Sequence, residues 1–413
     1  MTDNRSKIRE LIAEELGHLP DETHDPAKGI PLQVTPFGAE EVCAITDVLL
    51  STWVTMGKEV QAFEREWAEW CGCSEAVMVN SGSSANLVAL AALLHTGALQ
   101  EGDEVLVPAV AWSTSLFPVS QLGLVPVMVD VDPETLCLGV EQAKEAMGPR
   151  TKAAVVVHLL GQAADVDGLR DLGLVVLEDS CAAHGARRGD RRVGSMGEVG
   201  TFSFFFSHHI TTVEGGIIVT NDAALADAAR SLRAHGWIRE MNTRQEHVDA
   251  NPEIDPRFLF VTQGWNLRPT DMAGAMGRVQ LKRIDAWLER RRRNHAEWCE
   301  LLEPLSDKVR VWPEAPGTSH AGFAFPMLLL DKSRSRAELS EFLESRGIST
   351  RPISGSNLAR QPAFKQIRRF RLAGELSFSD MIHRDGIFIG NSHAFHRGHG
   401  ELLVRTLKEF FNV

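Results

Sequence analysis

The chain has 413 residues, 44% hydrophobic and 24% charged, a make-up that excludes disordered and collagen-like proteins and leaves room for two domains. Its net charge is −12 and its basic residues are dispersed apart from the run Arg290 to Arg293, which argues against a nucleic-acid footprint or an anionic-membrane anchor. Six cysteines (Cys43, Cys71, Cys73, Cys137, Cys181, Cys299) are scattered, with C-x-C as the only close pair, so neither a disulfide framework nor a structural metal is expected.

Met1 to Glu15 is charged and helical in pattern. It lacks the apolar core of a signal peptide and the length of a membrane span, which predicts a cytoplasmic protein. A linker bearing Pro and Gly follows, so residues 1–35 read as an N-terminal helix and linker. From Ala76 onward, short Val/Ile/Leu-rich runs alternate with helical patterns: Ala76 to Val79, Glu104 to Val107, Val125 to Val129, Ala153 to His158, Leu174 to Glu178, Thr201 to Phe205 and Gly216 to Thr220. This alternation predicts an α/β fold around a doubly covered, mostly parallel sheet, occupying a large domain over residues 36–300. A long helical stretch, Met272 to Leu305, carries the arginine run on a face. Residues 301–413 read as a smaller C-terminal α/β domain.

Three motifs fall at strand ends, where ligands of open α/β sheets gather. Asn80-Ser81-Gly82-Ser83-Ser84-Ala85-Asn86 follows a strand and opens a helix, so its amides and hydroxyls suit a phosphate; a plain helix cap accounts for the serines equally well. Leu177-Glu178-Asp179-Ser180 ends an apolar strand, placing a carboxylate either against a protonated heterocyclic nitrogen or as a helix cap. Trp112 offers a flat face for stacking, although a tryptophan by itself is more often core. Ser203-Phe204-Phe205-Phe206-Ser207-His208-His209-Ile210-Thr211 precedes Glu214-Gly215-Gly216 and a strand. Adjacent histidines on an extended segment face opposite ways, so at most one enters a site, as a proton shuttle or a structural residue.

In this order and spacing the motifs resemble the DegT/DnrJ/EryC1/StrS aminotransferase family over essentially the whole chain beyond residue 30. The resemblance implies a type I pyridoxal-phosphate fold, like that of aspartate aminotransferase. In that family a lysine stands five residues after the serine of the S-F motif. Here that position is His208, and no lysine occurs between Lys152 and Lys282. Histidine there resembles the 3-dehydratase branch. A histidine forms no imine with the cofactor, yet it still moves protons.

The resemblance implies a glutamate-using enzyme that removes the C3 hydroxyl of a nucleotide-linked 4-keto-6-deoxyhexose, GDP-4-keto-6-deoxy-D-mannose being favoured. His208 is the implied base. Ser83, Ser84 and Ser203 are implied at the phosphate of pyridoxal or pyridoxamine 5'-phosphate, Asp179 at the pyridine nitrogen and Trp112 in stacking. A homodimer with shared sites is implied, Asn266 reaching the phosphate from a partner subunit and Arg268 binding L-glutamate. A related dehydratase holds an iron-sulfur cluster with cysteines in a segment where this chain, His235 to Gly264, has none, so no cluster is expected. Two positions depart from the pattern: Ala182 stands where relatives carry a polar side chain, and His320-Ala321-Gly322-Phe323 lacks the expected bulky aromatics. A catalytically silent paralogue and an aminotransferase with atypical chemistry are the alternative readings.

Overall fold

The computed structural model describes residues 2–17, 23–34 and 37–413. Its strands are β1 (Glu75–Val79), β2 (Glu104–Pro108), β3 (Val125–Val129), β4 (Thr151–Val157), β5 (Val175–Asp179), β6 (Arg187–Arg188), β7 (Arg191–Arg192) and β8 (Val199–Ser203). They continue with β9 (Gly216–Thr220), β10 (Val309–Arg310), β11 (Thr318–Ser319), β12 (Ala324–Leu329), β13 (Thr350–Pro352), β14 (Arg371–Leu372) and β15 (Gly386–Gly390).

Eight of them form one sheet in the order β1-β9-β8-β5-β4-β2-β3-β14. Every neighbouring pair is parallel except those made by β9, which runs antiparallel to β1 and β8. Since β9 reverses between them, β1 points the same way as β8 and the rest. The carboxyl ends of β1, β2, β5 and β8 therefore open on one edge of the sheet, and the three predicted motifs meet there. Strands β2, β3, β8 and β9 are buried at every residue. Helices on both faces produce that burial, so these strands read as continuous apolar runs and not as alternation.

A four-stranded antiparallel sheet, β10-β12-β15-β13, lies beside the first. Its core joins Phe325, Met327 and Ile389 to Trp298 and Leu403 of flanking helices and to Ile30 of the N-terminal segment. The hairpin β6-β7 pairs with β11 in a third, small sheet. Among the described residues no helix is long and apolar enough to cross a membrane.

Three local expectations need correction. Strand β8 runs two residues earlier than the pattern Thr201 to Phe205 suggests, because the chain peels away after Phe204: that ring is fully buried, whereas Phe205 and Phe206 turn outward. The stretch Met272 to Leu305 is two helices, Asp271–Leu281 and Ile284–Leu302. Arg283, at the break, is pinned to Glu40 and Glu41. Finally, the arginine run does not occupy one face, since four successive residues circle a whole helical turn. Arg291 is buried and donates to the carbonyls of Gly322, Phe323 and Asn391, whereas Arg293 pairs with Glu289 at the surface.

Candidate active site

Asp179 closes β5 and is almost fully buried. Its Oδ2 accepts hydrogen bonds from Asn86 Nδ2 at 2.8 Å and from Ser115 Oγ at 2.7 Å, and its Oδ1 accepts from the Cys181 amide at 3.2 Å. Asn86 is oriented in turn, because its Oδ1 accepts from Thr201 Oγ1 at 2.6 Å while its Nδ2 also reaches the Thr114 carbonyl at 3.2 Å. Three donors thus converge on a group that, ionised, can only accept. Asn86, Ser115 and Thr201 were not singled out from the sequence. The readable signal was Asn86, a polar residue opening the apolar run Leu87 to Leu94 of its helix, since a buried polar side chain is the informative exception in a core.

Helix Gly82–His95 starts beside this carboxylate. Ser81 caps it, its Oγ accepting from the Ser84 amide at 3.1 Å, and Ser84 Oγ donates to Asn80 Oδ1 at 2.6 Å. The hydroxyl of Ser84 is therefore part of the cap as well as of the predicted phosphate set. Ser83 is exposed in the first turn, next to amides that the helix itself leaves unpaired. Ser203 ends β8 so close to Gly82 that a Cβ on the glycine would lie 2.5 Å from the serine Cβ.

Gly216 pairs with both Val79 and Ser203, and a Cβ there would sit 2.3 Å from the Ser81 carbonyl oxygen and 2.6 Å from the Gly82 amide nitrogen. Neither backbone atom can swing aside as a side chain would. Gly216→Ala is accordingly expected to destabilise the protein by about 1–3 kcal/mol and to push the Ser81–Gly82 turn outward. Thermal melts compared with and without pyridoxal 5'-phosphate test this; an unchanged melting temperature and unchanged cofactor stabilisation would contradict it.

After β8 the chain forms a tight loop held by the Phe204 carbonyl, which accepts from the Thr212 amide at 2.9 Å and from Thr211 Oγ1 at 3.1 Å. The loop separates the two histidines. His208 is half-buried with its Nδ1 enclosed and lacking a hydrogen-bond partner, so its other nitrogen, Nε2, is the open one. Burial pushes its pKa down to about 4, the Asp179 carboxylate opposing the shift and the Arg291 guanidinium adding to it. The ring therefore stays neutral, and able to accept a proton, throughout the neutral pH range. His209 turns inward, with Nε2 3.1 Å from the Ala321 carbonyl and Nδ1 3.1 Å from His184 Nδ1.

Phe323 packs on the His208 ring at 5.2 Å, so the stretch 320–323 does contribute one aromatic wall. Trp112, preceding helix Ser113–Gln121, leaves its ring open to solvent, 61% exposed. Ala182 is half-buried three residues beyond Asp179 and offers no polar atom. Asn266 and Arg268 lie exposed on one segment, Arg268 Nε donating to Asn266 Oδ1 at 3.0 Å. Within the described residues no hydrogen bond joins either of them to Asp179, Ser203 or His208.

The profile of the DegT/DnrJ/EryC1/StrS aminotransferase family matches residues 37–407. The chain belongs to this family. Among relatives, this member is 37% identical over 394 residues to GDP-4-keto-6-deoxy-D-mannose 3-dehydratase of Yersinia pseudotuberculosis, covering 93% of this chain and 97% of the relative. To dTDP-4-dehydro-2,6-dideoxy-D-glucose 3-dehydratase of Saccharopolyspora spinosa it is 36% identical over 382 residues, covering 86% and 82%. A solved structure of GDP-4-keto-6-deoxymannose-3-dehydratase with a trapped PLP-glutamate geminal diamine matches at TM-score 0.87 and 34% identity, over 92% of this chain and 100% of the other. The fold is that of the pyridoxal-phosphate-dependent members of the DegT/DnrJ/EryC1/StrS family, an α/β architecture with a large, mostly parallel sheet.

Proposed function

We propose that this protein is a glutamate-using, pyridoxal-phosphate-dependent dehydratase that removes the C3 hydroxyl of a nucleotide-linked 4-keto-6-deoxyhexose, with GDP-4-keto-6-deoxy-D-mannose the favoured substrate. The observation that carries this reading is His208, a neutral base with one open nitrogen where the family's aminotransferases keep a lysine. Such a residue moves a proton without returning the cofactor to a covalent lysine adduct.

The cleft fits the cofactor. A buried, pre-oriented carboxylate, a helix N-terminus with glycine at its closest approach, strand-end hydroxyls and an open indole face lie on one sheet edge. Pyridoxal phosphate, when bound, supplies an electron sink for bonds broken next to its amine-bearing carbon. Asp179 would hold the pyridine nitrogen, and Ser83, Ser84 and Ser203 the phosphate, with Trp112 against the ring. His208 Nε2 would take and return the proton at C4'. Ala182 leaves the cofactor's 3-hydroxyl to another partner.

The chain works as a homodimer in this reading, which explains why Asn266 and Arg268 stand exposed and apart. Asn266 of the partner subunit reaches the phosphate. The guanidinium of Arg268 matches the glutamate carboxylate bidentately.

Overall, the 4-keto sugar and L-glutamate give the 3-deoxy-4-keto sugar, 2-oxoglutarate and ammonia. Incubating the holoenzyme with L-glutamate and GDP-, CDP- and dTDP-linked 4-keto-6-deoxy sugars tests the reading. Ammonia release and a sugar product lighter by one oxygen atom are expected, fastest with the GDP sugar. A stable amino sugar as the main product would overturn the assignment.

A further inference from the structure

Asp179 is a buried carboxylate surrounded by neutral donors. Among the described residues it makes no ion pair, and its hydrogen bonds come from Asn86 Nδ2, Ser115 Oγ and the Cys181 amide. The Cys181 thiol beside it brings no charge either: burial, reinforced by the Asp179 carboxylate, pushes its pKa well above the usual thiol range against the Thr201 hydroxyl and its own amide. A buried charge is costly until it is paired, so this one waits for a cation that a ligand supplies.

Asn86 fits only one way round. Its Nδ2 faces two groups that accept, Asp179 Oδ2 at 2.8 Å and the Thr114 carbonyl at 3.2 Å, and turning the amide over would set Oδ1 against both. Oδ1 therefore faces Thr201. The single hydroxyl proton of Thr201 goes to it at 2.6 Å and not to the Glu178 carbonyl at 3.2 Å. Asn86, Ser115, Thr201 and Asp179 are each at most 5% exposed, so a partner lost from this set is not readily replaced by solvent.

Two consequences follow from where these donors end. Asn86 Nδ2 and Ser115 Oγ both reach Oδ2 and fill its two lone pairs, whereas Oδ1 accepts only the longer bond from the Cys181 amide among the described residues. Oδ1 is thus the oxygen left for a further donor. In addition, one amide joins the segments that carry the predicted cofactor residues: Asn86 lies on the helix of Ser83 and Ser84, Thr114 follows Trp112 by two residues, and Thr201 precedes Ser203 by two on β8.

We propose that Asn86 and Ser115, the first locked in place by Thr201, are positioning residues that occupy Asp179 Oδ2, present Oδ1 to the pyridine nitrogen of the cofactor and keep the proton between them on the ring. Hydrogen bonds to an ionised acceptor are about twice as strong as those to a neutral one, so both donors reward the anion. The inference rests on the assignment of Asp179 to that nitrogen in the dehydratase reading, and not on the identity of the sugar.

The test is ¹⁵N spectroscopy of holoenzyme rebuilt with cofactor labelled at the ring nitrogen, alongside titration of the apoenzyme with pyridoxal 5'-phosphate. The native protein is expected to show a protonated ring nitrogen at neutral pH. Asn86→Leu, which suits the apolar helix, and Ser115→Ala, which changes little volume, are each expected to move the signal toward the unprotonated position. Each should also weaken cofactor binding about ten- to a hundredfold, the factor that a hydrogen bond to a charged group is worth. Thr201→Val, which touches neither the carboxylate nor the cofactor, is expected to shift the signal the same way, and Thr201→Ser to restore it.

An unprotonated ring nitrogen in the native holoenzyme overturns the proposal. So does an unmoved signal in Ser115→Ala and Thr201→Val, even if affinity falls, because that loss is structural; these two variants decide the matter should Asn86→Leu fail to fold. Asp179→Asn separates the proposal from the reading beneath it. A signal unmoved there as well means that the assignment of Asp179 fails, whereas a signal that moves there and in neither of the other two means that the positioning role fails. Should no keto sugar turn over while the ring signal shifts as described, the dehydratase reading fails and the positioning role stands.

Discussion

His208→Asn is expected to lower turnover of the keto sugar nucleotide by about 10²- to 10⁴-fold, the usual contribution of a positioned general base. Asparagine matches the histidine in reach but has no nitrogen that accepts a proton near neutrality. Because the Asp179 network of Asn86, Ser115 and Thr201 does not include His208, cofactor binding should survive. The variant should therefore purify with its cofactor, yet show slowed conversion of that cofactor's absorbance by L-glutamate, as the same proton moves in both halves of the reaction. Ammonia release under saturating glutamate measures the loss. Turnover within a few-fold of the native rate would remove His208 from the mechanism and leave the base to be sought elsewhere.

Glu178→Ala is expected to be the most damaging substitution for stability outside the apolar core. Glu178 is fully buried one residue before Asp179. Its carboxylate accepts from the amides of Gly194 at 2.7 Å, Met196 at 2.7 Å and Gly197 at 2.6 Å, and from His158 Nε2 at 3.0 Å. His158 Nδ1 accepts from the Ala164 amide at 3.1 Å, so its Nε2 carries the proton and the neutral ring already satisfies both contacts. Alanine strands four donors, three of them in buried contacts and that of Gly197 half-buried. With each costing about 1–3 kcal/mol, the loss should exceed about 4 kcal/mol, a large part of the stability of a typical domain. Urea unfolding of the variant beside Glu178→Gln, which keeps one acceptor oxygen and should fall between, provides the measurement. A loss below about 1 kcal/mol in the alanine variant, at unchanged denaturant slope, would mean that water replaces the carboxylate and that the site is wetter than its burial implies.

How far the sequence could be read varies from element to element, for physical reasons. The strands of the main sheet were legible because a sheet covered on both faces demands unbroken apolar runs, and Val125–Val129 and Gly216–Thr220 were placed to the residue. The end of β8 was misplaced because three phenylalanines in a row carry one pattern while only the first is buried. Likewise the break at Lys282 and Arg283 shows neither Pro nor Gly; Arg283 there is tied to Glu41, 242 positions earlier, a contact no local pattern encodes.

The sequence by itself determined the family likeness and the chemical option: a histidine at position 208, no lysine near it, and serines, an aspartate and a tryptophan at strand ends. These are matters of residue identity and order. Only the tertiary structure decided that Asn86 and Ser115 aim the Asp179 carboxylate and that His208 leaves Nε2 open while His209 turns inward. Each of these depends on which distant segment supplies the hydrogen-bond partner, and burial of His208 beside Arg291 and Asp179, not its place in the chain, sets the proton affinity on which its role as a base depends.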